Sequence, residues 1–275
     1  MATTYSAAQV LDRLRAQLEQ HRPIFVPNCG FGLSAKMQEQ GGADLICISG
    51  TSRWRMKGQG SLAALMPNSD VNASIFEIAP EIVANVKEVP IISLSAAFNP
   101  LMPHRDHLEA LRNVGISGIN PFMVKIYGDA LVAQLDAIGM GWKREVEMVA
   151  TAAEMNMFAL AYAFSPEEAR VMAANGAHAI ASHFGATIGG AKGAVSNVSL
   201  HDAIVRTQAI FDAARSENPE ILLLAHGGPI EGPAEVQKVL SETSAQGFVG
   251  GSAAERIPIE KAILAATQEY KGLTC

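Results

Sequence analysis

Two histidines and two short clusters carry most of the chemistry this chain could perform. His183 is next to last in the run 177–184, and His226 directly follows the run Ile221-Leu222-Leu223-Leu224-Ala225. Imidazoles exchange protons near neutral pH, so two of them at neighbouring strand ends could share one ligand as acid and base. The plainer alternative is a pair of hydrogen-bonded packing residues. A second cluster reads Ser49-Gly50-Thr51-Ser52-Arg53-Trp54-Arg55-Met56-Lys57, with no acid before Asp70. Guanidinium forks match carboxylate and phosphate oxygens, so Arg53 and Arg55 beside the hydroxyls of Ser49 and Ser52 and the backbone at Gly50 suggest an anion clamp. A solvated loop touching a neighbouring subunit is the alternative.

Two glycine-rich stretches form the third cluster, His226-Gly227-Gly228-Pro229 and Gly250-Gly251-Ser252-Ala253-Ala254-Glu255-Arg256. Gly227, Gly228, Gly251 and Ser252 could offer backbone N–H groups to a phosphate or carboxylate, with Arg256 adding charge, or they could simply turn the chain. Glu255 could serve as a base, orient a histidine, or pair with Arg53, Arg55 or Arg256. Cys29 has no base assigned beside it and reads as a packing residue. Glu145 and Glu147 can both be helix-face charges, as at least one of them should be. His21, His104, His107 and His201 fall on helices or their flanks and read as surface residues, and His178 opens a strand. Asn28, Asn99 and Asn120 end strands without an acidic cluster, so a metal site has weak support and its ligands are unknown.

The elements around these residues alternate in a regular beat. Helical spacing covers 6–21, a short strand follows Pro23, and Ser34 is placed to cap a helix that Gly41-Gly42 stops. Further strands are expected at 44–49, 90–94, 118–122, 157–164, 177–184, 221–225 and 247–250. Helices are expected at 103–113, 130–138, 143–156, after Ser165-Pro166, and at 200–216, 233–244 and 259–271. The stretches 50–70 and 185–199 read as long loops, which in a compact fold are usually functional. Uninterrupted β/α alternation implies parallel strands and right-handed crossovers, and eight units imply a closed (β/α)₈ TIM barrel with an extra N-terminal helix. An open doubly wound sheet is the structural alternative. No linker composition interrupts 1–275, so one domain is expected. Active sites of such barrels lie at the C-terminal strand ends, which selects the clusters above.

Composition narrows the partners. The 275 residues hold 21 Lys+Arg against 27 Asp+Glu, a net charge of −6, with 49% hydrophobic and 17% charged residues. That balance excludes a disordered chain and makes nucleic-acid binding a poor fit. No apolar run approaches the roughly 18 residues a membrane span needs, and the N-terminal stretch mixes charges with Ala and Leu, unlike a signal peptide. Scattered Cys29, Cys47 and Cys275 form no disulfide or zinc pattern, so a cytoplasmic location is expected. The low charge and high apolar content suggest a homo-oligomer.

Several runs carry a family resemblance: Gly42-Ala43-Asp44-Leu45-Ile46 through Ser49-Gly50, Arg53-Trp54-Arg55-Met56, Gly58-Gln59-Gly60-Ser61-Leu62-Ala63 and Asp70-Val71-Asn72. Gly139-Met140-Gly141 with Glu145-Val146-Glu147-Met148, His183 with Gly189-Gly190, His226-Gly227-Gly228-Pro229-Ile230, and Glu255-Arg256 with Pro258 extend it along the chain. In order and spacing the chain resembles the phosphoenolpyruvate hydrolase-like family, also called the TIM-barrel signal transduction family, which includes proteins labelled phosphonopyruvate hydrolases. The resemblance implies a barrel of the phosphoenolpyruvate/pyruvate-binding type. It implies a hydrolase or lyase acting on a C–C, C–P or ester bond in a small anionic 2-oxo or enol acid, with Ser49-Gly50-Thr51-Ser52 on the substrate. Related enzymes use Mg²⁺, whose Asp and Glu ligands have no evident counterpart here. The expected roles are acid/base work for His183, His226 and Glu255, and substrate binding for Ser49, Gly50, Ser52, Arg53, Arg55, Gly227, Gly228, Gly251, Ser252 and Arg256. The alternative function is a non-catalytic barrel that senses a phosphorylated metabolite or binds a partner protein.

Overall fold

A computed structural model describes residues 4–121, 124–191, 193–195, 197–274. Eight parallel strands close into a barrel in sequence order: β1 (Ile24–Cys29), β2 (Ile46–Ile48), β3 (Ile91–Ser95), β4 (Gly118–Pro121), β5 (Phe158–Ala163), β6 (Ala179–His183), β7 (Leu222–His226) and β8 (Gly247–Gly250). The barrel closes where Ile24 of β1 pairs in register with Gly247 of β8. The expected (β/α)₈ fold is therefore present, with α1 (Ala7–Glu19) as its extra helix. Phe122, at the end of the expected fourth strand, and Cys275 lie outside the described residues.

Side chains alternate across each strand, and that period decides what can reach the barrel axis. Ile24 and Val26, Phe158 and Leu160, Ala179 and Ala181, and Leu222 and Leu224 pack together inside. Two residues further along their strands, the same faces carry Asn28, Tyr162, His183 and His226. The intervening positions, such as Cys29, Ile180 and Leu223, pack outward against helices. Ala7, Val10 and Leu14 of α1 join the interior cluster at its N-terminal end, so α1 plugs the bottom of the barrel. Ser6 and Gln9 form a reciprocal cap that starts this helix.

Each return from helix to strand needs a tight turn. Gly42, Gly115 and Gly176 supply it at φ of +88°, +97° and +93°, the left-handed region that favours glycine. These follow α2 (Gly32–Gln40), α5 (His104–Asn113) and α8 (Pro166–Ala174). The start of α2 differs from the expectation. It begins at Gly32, and Phe31 at its cap position makes no side-chain bond. Ser34 already lies inside the first turn. The exposed amide of Gly32 is taken instead by the Glu81 carboxylate of α4 (Val71–Asn85), at 2.6 Å. A distant carboxylate can cap a helix as well as a local hydroxyl, and a linear reading does not see it.

The stretch 50–70 is not a loop throughout. It holds helix α3 (Gly50–Met56) and a 3-10 turn, Ser61–Leu65. Helix α4 after it, which carries Pro80, had no assigned element in the sequence. The remaining helices are α6 (Asp129–Ala137), α7 (Trp142–Glu154), α9 (Leu200–Glu217), α10 (Pro233–Glu242) and α11 (Arg256–Lys271). Among the described residues no helix is long and apolar enough to cross a membrane.

Candidate active site

The strand ends of β5, β6 and β7 bring three rings together. Register pairs His183 directly with His226. Their ring centroids lie 4.6 Å apart, and Tyr162 sits 4.8 Å from each. Phe164 covers His183 from the other side at 4.5 Å. All three rings line one small cavity of about 30 Å³, with Asn28, Arg55 and Gly251 also in its wall.

The two histidines are held in opposite tautomers. His226 Nδ1 lies 2.6 Å from the Val249 carbonyl, which can only accept, so Nδ1 carries the hydrogen. His183 Nδ1 accepts from the Gly185 amide at 2.9 Å, so the hydrogen of the neutral ring sits on Nε2. Burial, aided by His226, holds the His183 pKa well below the ordinary imidazole value. Burial lowers that of His226 to about 4, with the Val249 bond opposing and Arg55 assisting. At neutral pH one ring thus has an Nε2–H to give, and the other has an Nε2 lone pair.

Arg55 is the cation of the site. Helix α3 turns it inward, where it is only 4% exposed. It donates to Thr51 Oγ1 and Ser61 Oγ, each at 3.1 Å, and to Ser52 Oγ. Its Nε has no partner. The nearest carboxylate, Glu255, approaches to 3.9 Å, beyond a hydrogen bond. Glu255 accepts from the Gly30 amide at 2.8 Å. Burial pushes its pKa up, against the lowering effect of Arg55. It stands behind Arg55, outside the cavity wall and away from both histidines. Its placement is that of a positioning residue for the guanidinium.

The other candidate residues divide between wall and scaffold. Thr51, Gly251 and Ser252 line the cavity. Ser49 bonds Thr51 through their hydroxyls at 2.6 Å, and Gly50 packs under Val71. Arg53 points away from the cavity toward Glu77, 3.5 Å distant. Arg256 donates to Gly189 O at 2.9 Å and to Glu260 at 2.8 Å, tying the 185–199 segment to α11. Gly227 and Gly228 adopt φ of +76° and +55°. The Gly228 amide is spent on the Gly185 carbonyl, and a Cβ at Gly227 would run into that same oxygen. This glycine pair fastens two strand-end turns together. The basic run of 53–57 is therefore split by helical geometry, with only Arg55 delivered to the interior.

Burial corrects two further expectations, those for His107 and His104, and separates Glu145 from Glu147. His107 is not a surface residue. It is 5% exposed, with Nε2 3.2 Å from Ser95 Oγ and Phe76 packed edge-on against it. His104 is also mostly covered, and burial lowers its pKa to about 4 with help from Arg144. Glu145 is buried and accepts from the Val124 amide at 2.5 Å, whereas Glu147 faces solvent. Cys29 packs outward from the barrel, and burial pushes its thiol up to about 12, which suits a core residue and not a nucleophile.

A family model described as phosphoenolpyruvate hydrolase-like matches residues 9–273. The chain belongs to the phosphoenolpyruvate hydrolase-like family. Among curated proteins, the tomato (Solanum lycopersicum) ToMV susceptible protein tm-1(GCR26) is 41% identical over 96% of this chain. The chain spans about a third of that relative, 35% of its length. A solved phosphonopyruvate hydrolase in complex with oxalate and Mg²⁺ superposes with a TM-score of 0.59 at 16% identity, covering 94% of this chain and 84% of that one. An oxaloacetate acetylhydrolase with 3,3-difluorooxalacetate gives 0.60 at 16% identity, covering 98% and 88%. At these identities the solved structures share the fold.

The donor set of this phosphoenolpyruvate hydrolase-like barrel does not fit Mg²⁺. A hard divalent ion wants carboxylate oxygens, and among the described residues the cavity wall holds none, because Glu255 stands behind Arg55 with one oxygen on the Gly30 amide. The cavity instead presents a guanidinium and two imidazoles, which repel or poorly ligate such an ion. Among the described residues no group of three or more His, Cys, Asp or Glu could hold a metal.

The buried histidines give stability a defined pH dependence. In the unfolded chain an imidazole titrates near 6.5, whereas burial holds His107 and His226 near 4. The unfolded state therefore binds more protons between these values. Their contribution to stability is full above about pH 6.5 and falls as pH drops toward 4, by about 1.4 kcal/mol per pH unit for each histidine. Urea unfolding at several pH values should show this slope, and His107→Gln should make it shallower by about one proton. An unchanged slope in that variant would contradict the assignment.

Proposed function

We propose that the strand-end cavity binds a small anionic 2-oxo or enol acid and cleaves a C–C, C–P or ester bond in it. The observation that carries this reading is the pair of neutral, oppositely protonated imidazoles beside a buried guanidinium. Mere packing needs neither the opposed tautomers nor a buried guanidinium whose Nε has no partner. The names of the neighbours, phosphonopyruvate hydrolase and oxaloacetate acetylhydrolase, make 2-oxo acids the first substrates to try.

Arg55 takes the substrate's anionic oxygens in this scheme, with Thr51, Ser252 and Gly251 around them. In a hydrolytic cleavage, the His226 Nε2 lone pair accepts a proton from water as the water oxygen bonds to the departing group. The C–C or C–P bond breaks, and its electron pair stays with the fragment as an enolate. Nε2–H of His183 and the guanidinium stabilise the enolate oxygen, a contribution that is commonly the largest in such sites. Protonated His226 then returns its proton to carbon, so water is consumed and the ring is regenerated.

The test is a purified-protein assay against 2-oxo acids, phosphonates and phosphorylated acids, followed by product identification. Turnover of at least one, lost in His226→Ala, is expected. Binding without turnover by any panel member would establish the metabolite-sensing alternative in its place.

A further inference from the structure

Arg55 stands alone as a charge in the cavity wall. Among the described residues, Asn28, Thr51, Ser61, Tyr162 and Ser252 add neutral polar groups there, and no carboxylate or second cation lines the space. The cations nearby are already held. Arg53 faces Glu77, Lys125 lies 3.3 Å from Glu168 and over the Trp142 ring, and Arg256 is bonded to Glu260 and the Gly189 carbonyl. The histidines add no charge at neutral pH. Burial keeps His226 neutral, and a second proton on His183 would have to enter at Nδ1, against the Gly185 amide that donates to it. The site thus carries one positive charge at most, partly answered by Glu255 at 3.9 Å behind it. One substrate carboxylate matches that charge. A second negative charge would be buried without a partner, which is costly.

The outer part of the same wall is apolar. Leu62 and Leu65 reach it from the turn Ser61–Leu65, and Ile126 from a second 3-10 turn, Val124–Tyr127. None of the three is fully buried, and Leu62 is 52% exposed, so they form the solvent side of the cavity. Tyr127 Oη donates to the Leu65 carbonyl at 2.8 Å and joins the two turns. A phosphonate or second carboxylate at this end would meet hydrocarbon, whereas an alkyl group gains from the contact. Leu62, on an exposed turn, has room to swing aside and lengthen the cavity for it.

We propose that the cavity selects a monoanionic 2,4-dioxo acid, with its carboxylate on Arg55 and an apolar acyl group against Leu62, Leu65 and Ile126. This rests on the hydrolytic reading of the same cavity and fixes the bond that breaks. The water oxygen bonds to the C4 acyl carbon as His226 Nε2 takes one proton from it. The C3–C4 bond breaks, and its electron pair stays on C3 as the enolate of a 2-oxo acid. His226 returns the proton to C3. The products are a 2-oxo monoacid and a carboxylic acid, which ionises and releases the second proton of the water.

The test pairs a substrate comparison with a binding comparison on the full chain. 2,4-Dioxopentanoate should be cleaved to pyruvate and acetate, with kcat/KM about 10²-fold above that for the dianionic oxaloacetate or for phosphonopyruvate. Oxamate and oxalate have nearly the same shape and differ by one charge. By calorimetry oxamate should bind about tenfold more tightly. Leu62→Arg places a second cation at the rim and should shrink that preference, with circular dichroism checking that the variant folds. A better rate with oxaloacetate or phosphonopyruvate, or tighter binding of oxalate, would overturn the monoanion assignment and leave hydrolysis in this cavity standing. Cleavage of none of the three would overturn the hydrolytic reading and this proposal with it, and a retained oxamate preference would show that the chemistry had failed and not the charge match.

Discussion

Arg55→Met is expected to cost about 3–5 kcal/mol at pH 7, the penalty for removing one partner of a buried charge pair. The guanidinium is shared among Thr51, Ser52 and Ser61, with Glu255 at 3.9 Å. Its loss leaves the Glu255 carboxylate buried without a cation, held by the Gly30 amide and nearby serine hydroxyls. Burial already favours the neutral form of this acid, so protonation can relieve the strain. The cost should therefore shrink as the pH is lowered toward the raised Glu255 value. In the double variant Arg55→Met, Glu255→Gln, much of the stability should return, because no charge is then stranded. Arg55→Lys should not rescue binding. A single ammonium cannot serve three hydroxyls spread around a planar fork and also face an anion. Denaturant unfolding and oxalate calorimetry on the four proteins separate the effects. Equal stability of the single and double variants at pH 7 would sink this account. Anion affinity should be lost in all three variants, independent of how stable each is.

The barrel was legible in the sequence because its signal is repetitive. Each β/α unit restates the same short apolar run, helix and glycine turn, so an error in one unit leaves the count intact. The cavity was legible only where the strand-end rule applies. It located His183 and His226 on facing positions, because both close strands whose ends are marked by glycines. It could not show that His183 accepts from Gly185 while His226 donates to Val249, since those bonds depend on how two turns fold over the barrel mouth. The basic stretch misled for a related reason. Read as a loop, Arg53 and Arg55 were equivalent. Wound into α3, residues two apart point about 200° from each other, so one goes inward and the other faces Glu77. The alternation of Asn28 with Cys29 carried a usable signal, because only the former shares a face with Val26. His107 was misplaced, and Glu145 could not be told from Glu147, because polar residues on a helix normally face water. Ser95 and the Val124 amide, remote in sequence, are what make their burial tolerable.

His226→Asn should lower kcat for whichever substrate is turned over by about 10²–10⁴, the usual contribution of a positioned acid or base. An asparagine can still donate toward the Val249 carbonyl, so the fold and the cavity wall should survive. It has no basic lone pair to take a proton, so KM and oxalate binding should change little. His183→Asn removes the Nε2–H opposite and should also depress kcat. Because the two rings act on one proton path, the double variant should be little worse than the more damaged single variant. The pH profile supplies a second, independent readout. The base must be neutral to work, and His226 is held near 4. Activity of the unsubstituted protein should thus stay level from neutral pH down to about 5 and fall on the acid side, at pH values where circular dichroism still reports a folded chain. A profile that falls through 6.5 would mean that His226 titrates like a solvated imidazole, and that the carbonyl-locked, buried ring is not the base. If both variants retained full turnover, the chemistry would have to lie elsewhere at the barrel mouth. Loss of turnover with retained binding would assign the proton work to this pair and leave the anion hold to Arg55.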